Sequence, residues 1–184
     1  MARGAKVKIV DYNPEWQDLY VEEDHRIREA IGDRILSIDH IGSTAVYGLG
    51  SKPIIDIMVG VDSRRTADLC QNILEKIGYT DVTVQQGHDE WFYCLGRGNC
   101  KLYYHLHLVV YNSPFHRKHI IFRNYLRDNP ESAQEYHLLK RELAEELGAD
   151  RRAYTEAKTR FIEEIVEKAI EEGYDRNIFR ESMS

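Results

Sequence analysis

The sequence predicts an α+β fold: a mixed sheet with flanking helices over about residues 6–111, then a C-terminal helical segment over about 114–172. Three observations predict it. Short apolar runs with two-residue alternation gather before residue 111. Between them, residues 14–31 and 64–77 carry apolar positions at helical spacing. After Pro114 the pattern stays helical, broken at Asp128-Asn129-Pro130 and at Gly148-Ala149-Asp150. One domain over residues 1–184 is expected, long enough to bury a core without disulfide or metal staples.

Each element has its own signal. Residues 6–10 alternate and read as a strand. Asn13-Pro14-Glu15 supplies a cap, a first-turn proline and an early acid for the first helix, where Trp16, Leu19, Tyr20, Ile27 and Ile31 share a face and Gly32 ends the run. Residues 35–41 and 54–61 read as strands, and 64–77 as an amphipathic helix closed by Gly78. Residues 80–85, 91–95 and 102–110 read as three more strands, with Gly96-Arg97-Gly98-Asn99 turning between the last two. Three helices follow; the last buries Phe161, Ile162, Ile165, Val166 and Ile170 and wets Glu163, Glu164 and Glu167. Nothing is read from residues 174–184.

Composition removes several classes of function. A net charge of −6 argues against general nucleic-acid binding, which needs a basic surface, though not against a phosphorylated ligand in a local basic pocket. No run of 18 apolar residues marks a membrane span, and residues 1–6 lack the apolar core of a signal peptide. Cys70, Cys94 and Cys100 form no CxxC pair. The expectation is a cytoplasmic protein with reduced thiols and no membrane partner.

The chemistry gathers around one carboxylate. Asp56 sits inside the apolar run 54–61, where an unpartnered charge is costly. Phosphate loops of known pattern fail here: Gly42 and Gly48 are separated by five residues and followed by Leu49, and Gly48-Leu49-Gly50-Ser51-Lys52-Pro53 ends on proline where a glycine belongs. Gly42-Ser43, following a strand, fits better, because such a turn can offer amide N–H groups and a hydroxyl to an anion. Alternation puts Asp56 on one face with Ile54 and Met58, and Ile55, Ile57 and Val59 on the other. A carboxylate on one strand beside an anion-binding turn can hold a divalent metal bridged to phosphate. The simpler alternatives are Ser43 as a helix cap and Asp56 as the ion-pair partner of Lys52 or an arginine.

These residues also carry a resemblance. The hydrophobic-Gly-Ser turn followed by an in-strand Asp resembles the nucleotidyltransferase superfamily of the DNA polymerase β type. The longer run HIGSTAVYGLGSKPIIDIMVGV, with YHLHLVV and FRNYLRDNPESAQEYHLLKRELA, resembles the GrpB family, also called UPF0157, over nearly the whole chain. The resemblance implies a nucleotidyltransferase-like fold, Gly42 and Ser43 near a phosphate, and Asp56 as a metal ligand. It also brings Arg123 and Lys140 into the ligand-binding set through the helical motif. Family members are in places joined to dephospho-coenzyme A kinase, which points to nucleotide metabolism. One departure matters: the superfamily's second carboxylate falls on Met58, and a thioether suits Mg²⁺ poorly.

His105 and His107 complete the expected site. They share a strand face, roughly 6.5–7 Å apart at Cα, and fall where the superfamily supplies a third carboxylate. One aspartate and two imidazoles suit Zn²⁺, Mn²⁺, Fe²⁺ or Ni²⁺ better than Mg²⁺, leaving the ion's identity, Mg²⁺ included, open. His107 alternatively serves as a general base, or both rings belong to a hydrogen-bonded sheet face. On the helix after Pro114, His116, His119, Arg123 and Arg127 recur every three or four residues as a basic stripe, which fits either an anion clamp or a solvated face. Tyr136 and Lys140, like Tyr154 and Lys158, lie four apart on one helix face, a spacing that packing alone explains.

The expected function is metal-dependent nucleotidyl or phosphoryl transfer on a small molecule. Asp56 and His107 are its candidate catalytic residues; Asp56, His105 and His107 its candidate metal ligands; and Gly42, Ser43, Lys52, Arg123 and Lys140 its candidate phosphate or nucleotide ligands. The alternatives are a catalytically inactive nucleotide- or metal-binding module on the same fold, and a protein in which Asp56 is merely paired.

Overall fold

A computed structural model describes residues 6–82, 89–99, 102–176 and 178. Five strands form one mixed sheet: β1 (Ser37–Ile41), β2 (Ile54–Val61), β3 (Thr80–Asp81), β4 (Trp91–Gly98) and β5 (Tyr103–Val110). The spatial order is β1-β2-β5-β4-β3. Only β2 and β5 run parallel; the other neighbours are antiparallel. Helices α1 (Glu15–Ile31) and α2 (Arg64–Lys76) belong to one face, and α3 (Pro114–Asp128), α4 (Pro130–Leu147), α5 (Arg151–Ala157) and α6 (Thr159–Glu171) follow the sheet in sequence.

Alternation along β2 divides the core. Ile55, Ile57, Val59 and Val61 join Leu106 and Leu108 of β5 beneath Ile27 and Ile31 of α1 and Ala67, Cys70 and Leu74 of α2. Met58 and Val109 face the other way and pack with Ile121, Phe122 and Tyr125 of α3, Tyr136 of α4 and Ile165 and Val166 of α6. The parallel β2–β5 pair is therefore covered on both sides, as parallel strands usually are.

Local chemistry sets the boundaries. The Asn13 side chain accepts the Glu15 amide at 3.0 Å at the start of α1. Ser63 and Ser113 cap α2 and α3 by accepting the amides of Thr66 and His116, both at 3.2 Å. Asp150 accepts two amides to start α5.

The sequence expectations need four corrections here. Residues 6–10 are not a strand: only Val10 bridges, to Ser51, because no strand among the described residues continues the pairing. The strand expected at 80–85 is β3, two residues long, and residues 83–85 lie outside the described residues. Gly96, Arg97 and Gly98 belong to β4 rather than to a turn. A side chain at Gly96 would strike the Tyr103 ring across the pair, so this glycine marks a close approach within a strand. Finally, the C-terminal segment holds four helices, because the backbone breaks again at Lys158 between α5 and α6.

No helix among the described residues is long and apolar enough to cross a membrane. Cys70 is a buried free thiol, Cys94 is buried, and Cys100 lies outside the described residues.

Candidate functional site

Strand register brings the predicted metal ligands together. Asp56 of β2 pairs with His105 of β5, and Met58 with His107. The Asp56 Oδ1 atom lies 3.4 Å from His105 Nδ1 and 3.9 Å from His107 Nε2. Partial burial pushes the Asp56 carboxyl upward, but the two neighbouring imidazoles outweigh it and hold the group well below the usual carboxylate range. Asp56 is thus a carboxylate, with a side chain 30% exposed.

Above Asp56 lies the Gly42-Ser43 turn, a single 3₁₀ turn over Ser43–Ala45. Gly42 has a φ of 70°, and a Cβ there would stand 2.6 Å from Asp56 Oδ2. Glycine is required both for the left-handed backbone and to let the turn approach the carboxylate.

The turn and Asp56 form one wall of a pocket of about 180 Å³. The opposite wall comes from the C-terminal helices: Lys118 and His119 of α3, Tyr136 and Lys140 of α4, Tyr154 of α5, and Lys158 just after it. Lys52 enters from the segment before β2. Four lysines therefore line a pocket with a single carboxylate. Lys118 pairs with Glu163 at 3.4 Å. Lys52, Lys140 and Lys158 make no ion pair among the described residues.

Lys140 is the most enclosed of them, 2% exposed. Its Nζ donates to the Gly50 carbonyl at 2.6 Å and to Ser43 Oγ at 2.9 Å, and sits 4.7 Å from the Tyr136 ring centroid. Burial, with Lys158 and Lys52 nearby, pulls the Lys140 ammonium down to about 7. Lys158 falls to about 8 through burial and Lys52, and burial also lowers Lys52, against the pull of Asp56. Burial brings His119 down to about 4, so its ring is neutral at pH 7.

A lysine lowered in this way destabilises the fold when charged. Between about pH 7 and the ordinary lysine value of 10.5, the unfolded chain holds a proton that folded Lys140 has released, so stability rises with pH across that window. Lys140→Met is expected to raise stability at pH 6 by on the order of a few kcal/mol and to flatten the rise above pH 7, read from melting curves at both pH values.

The structure separates some predicted residues from the pocket. Gly42, Ser43, Lys52, Asp56 and Lys140 line it. His105 and His107 touch Asp56 but do not line it. Arg123 does not line it either: its guanidinium donates to the His40 carbonyl at 2.9 Å and to Asp39 at 3.4 Å. His116 is fully buried beside Asp39, so the stripe on α3 is not one solvated face. Lys118, Tyr154 and Lys158 enter the pocket without having been read as site residues. The spacing of Tyr154 and Lys158 repeats that of Tyr136 and Lys140, and this repetition was their one visible signal.

Among the described residues, no group of three or more His, Cys, Asp and Glu side chains is arranged to hold a metal ion. Asp56 instead lies against its two imidazoles, at 3.4 Å and 3.9 Å. The donor chemistry of the three still suits a borderline cation.

The GrpB family model matches residues 6–168. The chain belongs to the GrpB family. It is 34% identical over 164 residues to the glutamate-rich protein GrpB of Alkalihalophilus pseudofirmus, covering 88% of this chain and 94% of that one. It is 33% identical to UPF0157 protein YqkA of Bacillus subtilis, matching 89% of this chain but 47% of that longer one. The crystal structure of conserved protein GrpB from Enterococcus faecalis superposes with a TM-score of 0.79 at 32% identity, covering 90% of this chain and 98% of that chain. The mixed sheet with flanking helices is thus shared with a solved GrpB protein. A more distant likeness, 28% identical, is to the dephospho-CoA kinase of Mycobacterium tuberculosis, of which the match spans 41%.

Proposed function

We propose that this GrpB-family protein binds the phosphates of a small molecule, a nucleotide by class, and transfers a nucleotidyl or phosphoryl group from it on a nucleotidyltransferase-like fold. One observation carries the reading: Lys52, Lys140 and Lys158 converge on Ser43 and Asp56 without ion pairs among the described residues. Enclosed ammonium groups repel one another and lose hydration, and an anion between them offsets both costs. Tyr154 lines the same pocket with a buried hydroxyl that has no hydrogen-bond partner among the described residues. A ligand oxygen would satisfy it.

The size of the pocket narrows the ligand. About 180 Å³ is below the roughly 300–1,000 Å³ of drug-sized ligand sites, so a short phosphate chain fits and the rest of a nucleotide extends outward. The likeness to a dephospho-CoA kinase agrees with a nucleotide setting. A divalent cation, Mn²⁺ or Zn²⁺ by donor type, would be held by Asp56, His105 and His107 only once the two imidazoles turn away from the carboxylate they now lie against, and it would then supply Lewis-acid charge. Met58, fully buried where a second carboxylate would serve two-metal transfer, favours a second reading: a nucleotide-binding module without catalysis.

Thermal-shift titration with sodium tripolyphosphate tests the binding step. The melting temperature is expected to rise with ligand, by a few degrees at 100 times Kd. Lys52→Ala and Lys158→Ala are each expected to weaken binding about tenfold or more. A melting temperature unmoved by tripolyphosphate and by ATP overturns the reading. Release of phosphate or pyrophosphate, lost in Asp56→Asn while tripolyphosphate still binds, separates the transferase from the binding module.

A further inference from the structure

The geometry points to Ser43 as a nucleophile and Lys140 as its general base, so that transfer runs through a covalent phosphoseryl intermediate. This rests on the phosphate-pocket reading only for the group that is attacked.

Lys140 is held as a base should be. A neutral amine has two N–H donors and one lone pair. The Gly50 carbonyl, 2.6 Å away, takes one donor, and Ser43 Oγ, at 2.9 Å, stands where the lone pair can receive the hydroxyl proton. Lys140 has no carboxylate partner among the described residues that would fix it as an ammonium. Lys52 and Lys158 disfavour a third positive charge beside them, and the ammonium gives up its proton near pH 7. The other titratable or charged groups around the dyad are Asp56 of β2, Lys118 and His119 of α3, Tyr136 of α4 and Tyr154 of α5. The Tyr136 ring stabilises the ammonium once Lys140 has taken the proton.

Ser43 is placed for attack. It opens the turn after Gly42, half-buried and lining the pocket, so its oxygen reaches bound phosphate, and once Lys140 is neutral the hydroxyl can donate to Nζ, 2.9 Å away. Lys52 and Lys158 line the space the phosphoryl oxygens would occupy, as charge stabilisation requires. In the first step the Oγ–phosphorus bond forms as Lys140 takes the proton. The bond from phosphorus to the leaving oxygen of a phosphoric anhydride donor then breaks, and that oxygen leaves with the electron pair. In the second step an acceptor hydroxyl or water attacks the phosphoserine and gives its own proton to solvent, while Ser43 Oγ departs with the electron pair and recovers its proton from Lys140, which returns to the neutral amine.

Diisopropyl fluorophosphate tests the dyad without knowledge of the donor. An activated Oγ displaces fluoride and leaves one diisopropylphosphoryl adduct, located by peptide mass mapping. Labelling at Ser43 is expected in the wild type, with a rate that rises through about pH 7. Ser43→Ala is expected to carry no adduct. Lys140→Met and Lys140→Arg are expected to label about 100-fold more slowly, since arginine keeps the charge and the donors but takes no proton. Absence of an adduct at Ser43, a wild-type rate independent of pH between 6 and 9, or wild-type labelling in Lys140→Arg overturns the proposal; the pH profile needs no variant to fold. Tripolyphosphate is expected to protect Ser43. Labelling that tripolyphosphate does not slow sinks the phosphate pocket and leaves the dyad standing, whereas tripolyphosphate binding without labelling does the reverse.

Discussion

Met58→Asp is expected to cost about 3–5 kcal/mol of stability, the range for an uncompensated buried charge, and to gain no second metal ligand. Met58 is fully buried, packed with Val109, Ile121 and Phe122 between the sheet and α3. Its strand partner in β1 is Asp39, so the new carboxylate would face a like charge across the pair. His107, its partner in β5, sits between Asp56 and the Trp91 ring, 5.5 Å away by centroids. One imidazole contact would not repay the desolvation. Urea unfolding of wild type and variant measures the loss. A loss below 1 kcal/mol would mean that the carboxylate escapes the core toward the pocket, and that the site can be rebuilt with two acids.

Arg123→Ala is expected to cost about 2–4 kcal/mol and to leave tripolyphosphate affinity within twofold of wild type. The Arg123 side chain, 9% exposed, ties α3 to β1 through Asp39 and the His40 carbonyl, and its removal takes a donor from the carbonyl and leaves Asp39 with His116 alone. Burial raises the Asp39 carboxyl, but His116 and Arg123 outweigh it and lower it overall. A carboxyl lowered by folding contributes stability that is complete at neutral pH and lost as the pH falls through its folded value. Without Arg123 the Asp39 carboxyl rises toward its unfolded value, so this contribution shrinks and its pH dependence flattens; the variant's lower stability overall is what brings on acid unfolding at a higher pH. Loss of anion binding in a variant that is still folded would return Arg123 to the pocket.

These two residues show what the sequence could and could not reveal. The alternation of Ile54–Val61 and Tyr103–Val110 reads as buried strands because a period of two with β-branched residues has few other uses. It also placed Asp56, His105 and His107 on matching faces, and the parallel register brings them into contact. Residues 6–10 show the same alternation but have no partner strand among the described residues, and alternation alone cannot report that. Arg123 is one of four basic residues on a helical stripe, and a periodic stripe does not say which member turns inward to an acid 84 residues away. Lys52, Lys140 and Lys158 are scattered over three segments, and only tertiary packing gathers them. Their tyrosine neighbours were visible as pairs, yet a tyrosine beside a lysine packs equally well on a plain surface.

The pocket spans a seam. Its floor is Ser43 and Asp56, from the first third of the chain, and its roof is Tyr136, Lys140, Tyr154 and Lys158, from the last. Any anion gripped from both sides rivets the C-terminal helices onto the sheet, so occupancy and the cohesion of the two halves are a single variable.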